Sequence, residues 1–455
     1  MQYRLLEMGV KVKTRLNRYI NIFRRIAYKE VAMKKLFFIV LVCALALAPA
    51  FAADTMKGTI RFLTMAEYHN ALEGVIKAFE ASHPGVTIET EEFPFAQLFD
   101  AIEIKLGSRN SKFDVILTDA TMVSGYAYRG FIAPLDEYFT TAEKSKFTPA
   151  LVNSGSFQGE FYAPPLKNSC HVLWYNKKLL DKAGIPYPSA DPKNRMTWEE
   201  VVDISKKVMA ASGDSTIYGL TFEQISRPYQ ILPLINSLGG VGIGPDGITV
   251  DGYVNGEGFV KAMQWYSDIH NTLKIAPKGI APSETVGQFT AGKIAFLSAN
   301  LFDYKTFEKT TGLQYGYAPL PYFKDGKPVT PTDSFHVSVS NYSKNKALAA
   351  EFVKYLTFGE GSDIYLEKQG EFSARIDVLN SYSTDLKYNS FPFSAFRLAA
   401  QEAKTTAFPR PLSLGYREWE SVITATMEDI RNGADVKPAL DKAVKTLTTQ
   451  LSIYR

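Results

Sequence analysis

GEFYAPPLKNSCHVLWYNKKLLDKAGIPYP, from Gly159 to Pro188, followed after a loop by TWEE at Thr197–Glu200, is the stretch that decides the fold. GEFYAPP is a glycine turn into a short aromatic strand that a proline pair ends, because proline cannot donate to a sheet ladder. HVLWY is β-branched and aromatic, of strand length and apolar on both faces, which predicts a buried strand. NKKLLDKAG gives one or two helical turns that stop on Gly184. Thr197 then caps a new helix, with Glu200 three residues on completing a capping box. The chain leaves one compact unit here and enters another.

Upstream, GTIRFLTM (Gly58–Met65) reads as a strand and AEYHNALEGVIKAFEASHPG as a loop into a helix, with Leu72, Val75, Ile76 and Phe79 at helical spacing. VTIETEEF is a second strand, FAQLFDAIEIKLGS a second helix, and FDVILTD (Phe113–Asp119) a third, nearly all-apolar strand. This β-α-β-α-β order implies parallel strands joined by right-handed crossovers, and so an α/β lobe. In such sheets ligands sit beyond the carboxyl ends of the strands. That rule selects Glu67, Tyr68 and His69 after the first strand, and Asp119 with Thr121 after the third.

Downstream of the crossing the spacing predicts helices over Trp198–Ala211, RPYQILPLINSLGG and VNGEGFVKAMQWYSDIHN, and strands at Ile217–Phe222 and Gly292–Asn300. The last of these delivers Asn300, Phe302 and Asp303 to a loop. YGYAPLP and Phe335–Ser340 read as strands, the latter as a second crossing. KALAAEFVKYLTF is an amphipathic helix, and after the rigid FPRP the tail gives two helices around Asn432-Gly433.

The 455 residues suffice for two or three domains. From Met33 the text MKKLFFIVLVCALALAPAFA has the two lysines, apolar run and Ala-x-Ala site of a secretory signal peptide over residues 33–52, cleaved before Ala53. Residues 1–32 form a basic extension, read most simply as a mis-called start upstream of the true initiator Met33; a basic membrane-surface helix is the alternative. The first 52 residues hold 10 of the 51 basic and 2 of the 47 acidic residues, which leaves the exported chain at a net charge of −4. That balance excludes nucleic acid as a partner, which requires a concentrated positive surface. Val42 before Cys43 is not the small residue that lipid modification needs, so soluble export to the periplasm is expected. Cys170 is then alone, with no partner for a disulfide.

Enzyme motifs are missing. The five histidines show no HExxH spacing, and there is no GxSxG elbow, Walker loop or strand-borne GxGxxG. GGVGIGPDG near Gly239 follows a helix and reads as a turn. No metal or cofactor is expected. A carboxylate pair for glycoside hydrolysis stays open, since two acids can meet across any cleft. The 13% aromatic content fits sugar recognition, where rings stack on sugar faces and Asp, Asn, Glu or Arg take the hydroxyls; any one ring taken blind is still more often core.

Taken in order, FEASHPGVTIE (Phe79–Glu89), FDVILTD with GFIAPLDEY (Gly130–Tyr138), GEFYAPP with LWYNKKLLDKAGI, TWEE, LGG, GKIAF, YGYAPLP, ALAAEFVKYL and PALDKAVKTL resemble the extracellular solute-binding proteins of ABC importers, in the group that includes maltose-binding protein. The resemblance covers nearly all of residues 53–455. It implies the two-lobed α/β periplasmic-binding-protein fold, with discontinuous lobes joined by hinge strands: 53–167 with 332–375, and 168–331 with 376–455. It further implies a monomer that captures a sugar or oligosaccharide between the lobes and hands it to membrane permease subunits. A glycerol phosphodiester or other phosphorylated polyol is the alternative ligand class, and an exported glycosidase the enzymatic one.

By position in that resemblance, Trp419 and Tyr229 fall where the family stacks sugars, and Phe302 where it carries a tryptophan. The smaller ring, preceded by Ala299-Asn300-Leu301, speaks against maltodextrin itself. Glu67 lies in the family's first polar-contact loop, Asp119 or Thr121 in the second. Arg375 and Arg410 flank the expected cleft as partners for hydroxyls or an anion, and Asn168 and Ser169 face its base. Packing alternatives stand beside these roles: Trp419 between helices, Asp119 as a helix cap, Glu67 in solvent. Trp174 is expected in the core.

Overall fold

The computed structural model describes residues 56–225 and 227–455. The expected basic extension and signal peptide lie outside them. The first lobe starts with β1 (Gly58–Met65), α1 (His69–Ser82), β2 (Val86–Phe93), α2 (Phe95–Gly107) and β3 (Val115–Asp119). β1 runs parallel to β2 on one side and β3 on the other. Ala71, Leu72, Val75 and Phe79 form the buried stripe of α1, at the three- and four-residue spacing that keeps one helix face on a sheet. β3 is buried along its whole length, as a strand covered on both faces must be.

The second lobe holds β4 (His171–Asn176), α3 (Trp198–Ser212), β5 (Tyr218–Phe222), α4 (Pro228–Ser237), α5 (Glu257–Asn271), β6 (Ile294–Asn300) and β7 (Tyr315–Pro319). Its sheet has the order β5-β6-β4-β7. β4 is antiparallel to both neighbours, and β5 is parallel to β6. All of β4 is buried, so the decisive HVLWY run is a central strand. Thr197 and Glu200 close the expected capping box at the start of α3. Gly316 in β7 is obligatory: a Cβ there would stand 2.2 Å from the Tyr175 ring.

The chain continues through β8 (Thr330–Thr332), β9 (Phe335–Val339), α6 (Lys346–Thr357), α7 (Gly359–Gln369), α8 (Ile376–Thr384), α9 (Ser394–Thr405), β10 (Ala407–Pro409), α10 (Tyr416–Arg431) and α11 (Val436–Gln450). Phe335–Ser340 differs from its expected role as a crossing. β9 is the edge strand of the first-lobe sheet, antiparallel to β3. The lobe-to-lobe passage runs just before it, through β8, which pairs in parallel with β10. Helices α7, α8 and α9 fall in a stretch for which the sequence raised no expectation.

Side chains knit these passages together. Asn168 Oδ1 accepts from the Ser169 amide (2.8 Å), the Thr332 hydroxyl (2.9 Å) and the Asp333 amide (3.1 Å). The Asn168 amide donates to the Phe372 carbonyl. Buried Glu402 receives Arg195 in a fork (2.7 and 2.8 Å) together with the hydroxyls of Thr330 and Thr406. A buried carboxylate that accepts four hydrogen bonds from three such donors is satisfied rather than costly.

Candidate functional site

A cavity of about 280 Å³ lies between the two sheets, where the carboxyl ends of β1, β3, β5 and β6 converge. Tyr68, Phe95 and Phe335 supply rings from the first lobe, Tyr229 and Phe302 from the second. The rings order one another: Tyr68 meets Phe335 edge-on at 6.0 Å, and Tyr229 meets His171 edge-on at 4.8 Å. Such pairs fix ring planes at little entropic cost.

The polar wall is built from paired charges. Arg410 sends Nη2 and Nη1 to the two oxygens of Asp119 (2.5 and 3.2 Å), and its Nε and amide to Asp333 (both 2.8 Å). Burial alone would raise the Asp119 carboxyl, yet Arg410 and then Arg227 outweigh it and hold Asp119 below the usual range. Arg227, at the N-terminus of α4, spans from Glu420 (3.3 Å) to Asp119 (3.8 Å), and its guanidinium lies 5.0 Å from the Phe95 ring. Lys167 is ion-paired with Glu371, both buried.

The expected residues separate into those the cavity gathers and those it does not. Glu67, Tyr68, Asp119, Ser169, Tyr229, Asn300, Phe302 and Arg410 all line it. Glu67 accepts the Phe95 amide at 3.2 Å. Tyr229 donates to the Ser169 hydroxyl at 2.5 Å, and the Ser169 hydroxyl in turn donates a hydrogen bond to the Asp333 carbonyl. The Asp119 cap alternative is also present, since its Oδ1 accepts the Thr121 amide and hydroxyl. Phe302 is the exposed ring of the set, at 37%.

Four residues sit elsewhere. Trp419 is fully buried, donates its indole N–H to the Gly242 carbonyl (2.9 Å) and packs on Tyr416; it packs in the core, joining helix to loop where the packing alternative has it between helices. Arg375 is held by Asp363 and Asp377 at the start of α8, away from the cavity. Thr121 turns to Asp119 and to a separate cavity beneath α10. Asp303 is buried just behind the wall, against Glu223.

Lys167, Glu223, Gln224, Arg227, Lys305 and Glu371 also line the cavity and were not singled out from the sequence. Glu223 had a usable signal, since it follows the carboxyl end of β5. Arg227 stands two residues before Tyr229 in a motif already marked. Lys167 and Glu371 had none, because a charge in a short loop reads as solvated until the fold buries it.

Among the described residues no group of three or more potential metal ligands occurs. None of their helices is long and apolar enough to cross a membrane.

Known proteins resemble this chain in sequence and in fold. The galactooligosaccharide-binding protein of Bacillus subtilis is 25% identical over 398 residues, covering 85% of this chain and 87% of its own. An ABC substrate-binding protein from Listeria monocytogenes in complex with cycloalternan superposes with a TM-score of 0.76 at 19% identity, over 87% of this chain and 99% of that one. An ABC transporter solute-binding protein from Thermotoga lettingae bound with α-D-tagatose gives 0.72 at 21% identity, with 87% and 99% covered. At such identities the two structures establish the fold, that of the two-lobed periplasmic binding proteins. The family model for bacterial extracellular solute-binding proteins matches residues 64–361, a span containing most of the cavity wall. With its two sheets, its hinge strands and its interlobe cavity, the chain belongs to the bacterial extracellular solute-binding protein family.

Proposed function

We propose that this protein is the sugar-binding component of an ABC importer. It takes a small neutral carbohydrate into the interlobe cavity and presents it to a membrane permease. The observation that carries the reading is charge compensation on an aromatic frame: Arg410 and Arg227 with Asp119 and Asp333, and Lys167 with Glu371, offset each other along the cavity wall. Paired charges of this kind give fixed donors and acceptors for hydroxyls without favouring a net-charged ligand. At about 280 Å³ the cavity suits one or two sugar rings. A galactooligosaccharide-binding relative and a structural neighbour bound with α-D-tagatose point the same way.

The reading carries the rest of the sequence expectations with it. The chain acts as a monomer in the periplasm after removal of residues 33–52. Its lobes are 53–167 with 332–375 and 168–331 with 376–455, closing about the hinge strands. Capture and release make and break no bond, and no cofactor takes part.

Lys305 supports a second ligand class. It lines the cavity and forms no ion pair among the described residues, so a phosphorylated polyol would find an uncommitted cation there. A thermal-shift comparison decides between the two, because a ligand bound only by the folded state raises the melting temperature by mass action. Stabilisation by galactose, lactose, maltose or maltotriose supports the neutral-sugar reading. Stabilisation by glycerol 3-phosphate or a glycerol phosphodiester alone overturns it.

A further inference from the structure

Glu223 and Asp303 form a pair of carboxyl groups at the floor of the second-lobe wall, and neither has a cation. Glu223 follows β5 and is 5% exposed. The protein engages one of its oxygens: Oε2 accepts the amide of Asn300 (2.9 Å) and its side-chain Nδ2 (2.8 Å). No protein donor among the described residues reaches Oε1, although Glu223 lines the cavity. Asn300 Oδ1 lies 3.3 Å from the Tyr229 hydroxyl, whose one proton goes to Ser169, so the two bonds to Glu223 are what anchor the Asn300 side chain and amide. Asp303, three residues on, is 5% exposed, its Oδ2 is buried with no protein donor among the described residues, and the charged group nearest its carboxyl is Glu223. Two buried carboxyl groups side by side without a cation favour one charge over two, so that one of them keeps its proton.

We propose that Glu223 determines which ligand the cleft accepts, by offering Oε1 to hydroxyls of a neutral sugar, and that Asp303 is the positioning residue that aims it. The proposal rests on the neutral-sugar reading above. Burial first, and the Glu223 charge second, raise the Asp303 carboxyl well above the ordinary carboxylate range, which makes Asp303 the member that keeps the proton and donates to Glu223.

Among the described residues no surrounding cation forms an ion pair with either carboxyl, although Lys167 lies near enough to feel the Glu223 charge. Lys167, on the first passage between lobes, is committed to Glu371. Lys305, two residues beyond Asp303, points to the Lys368 carbonyl (3.4 Å). On α9, which packs near the turn, Arg397 donates to the Tyr382 carbonyl and Glu402 holds Arg195. On α4 the facing group is the Tyr229 phenol, which burial drives upward and keeps neutral. As pH rises through the Asp303 titration a second negative charge develops against Glu223, the hydrogen bond is lost, and the aim of Oε1 with it.

The test is calorimetric titration with the strongest binder among galactose, lactose, maltose and maltotriose, over a pH series from neutral into alkaline. Glu223→Gln is expected to bind about tenfold or more weakly at every pH, the worth of a hydrogen bond to a charged group. Wild type is expected to lose affinity on the alkaline side, Asp303→Asn to show a flat profile, and Asp303→Leu to bind weakly throughout. Wild-type affinity in Glu223→Gln, or an alkaline loss that persists in Asp303→Asn, overturns the proposal. Infrared difference spectra supply a readout that needs no ligand: wild type at neutral pH should show the carbonyl stretch of a neutral carboxylic acid that Asp303→Asn lacks. Its absence from wild type refutes the positioning role. If wild type binds none of the four sugars, the neutral-sugar reading falls and takes the selecting role of Glu223 with it, while the infrared band still decides the placement of the proton.

Discussion

The guanidinium of Arg410 lies 2.5 and 3.2 Å from the two carboxylate oxygens of Asp119, a fork that joins the segment after β10 to the end of β3. Both side chains are nearly sealed from solvent, and Asp333 shares the same cation. Removing Arg410 would therefore leave buried Asp333 without a cation and Asp119 with Arg227 alone, 3.8 Å away. We expect Arg410→Met to lower stability by about 3–5 kcal/mol, measured by urea unfolding. Arg410→Lys should recover little, because a single ammonium cannot bridge two carboxylates in a planar fork.

Trp419 and Phe302 should behave as opposites. Trp419→Ala empties a fully buried site and is expected to cost about 3–5 kcal/mol of stability, with sugar affinity retained in the folded fraction. Phe302 is partly exposed at the cavity. Phe302→Ala should leave stability within about 0.5 kcal/mol of wild type and weaken sugar binding by about 1 kcal/mol. Thermal unfolding and calorimetric titration on both variants check the contrast.

Three buried histidines set the acid limit of the protein. Burial, with help from Arg227 and Arg410, drives His171 down to about 3; burial drives His336 and His270 down to about 4. A histidine depressed in the folded state adds stability that is complete above its ordinary pKa, near 6.5, and is lost as pH falls toward the folded value. Each histidine should remove about 1.4 kcal/mol per pH unit over the window between about 6.5 and 4. Denaturant midpoints measured through that range should fall steeply, and less so in His171→Phe.

Gly370 should report on closure. It takes φ +59° at the end of α7, and a Cβ there would stand 2.4 Å from Lys305 Cε of the opposite lobe. Gly370→Ala adds a left-handed strain of about 1–2 kcal/mol and forces Lys305 off the Lys368 carbonyl. Faster ligand release in stopped-flow measurements, with a larger radius of gyration in solution scattering, is the expected outcome.

The sequence was most legible where the determinants are local. The bounds of β1 and β2, the Thr197–Glu200 box and the buried β4 need only neighbouring residues to specify them. Trp419 shows where that ends. Position along α10 placed it correctly on a helix, but its facing depends on Gly242, 177 residues away, where the absence of a Cβ makes room for the indole. Helix α7 left no readable stripe because glycines open it and its buried residues, Gly361, Ser362, Tyr365 and Leu366, are half polar or small. Lys167 and Glu371 became a site pair only once two separate crossings met.

The cavity wall is assembled from nine separate stretches of chain, none longer than seven residues, from Met65–Tyr68 to Arg410. The contacts that hold the hinge, at Asn168 and Glu402, lie almost wholly outside the residues that face the ligand. Recognition and mechanics are therefore written in different parts of the text. A lineage can exchange one short stretch at a time and acquire a new diet, while the moving parts that speak to the transporter stay as they were.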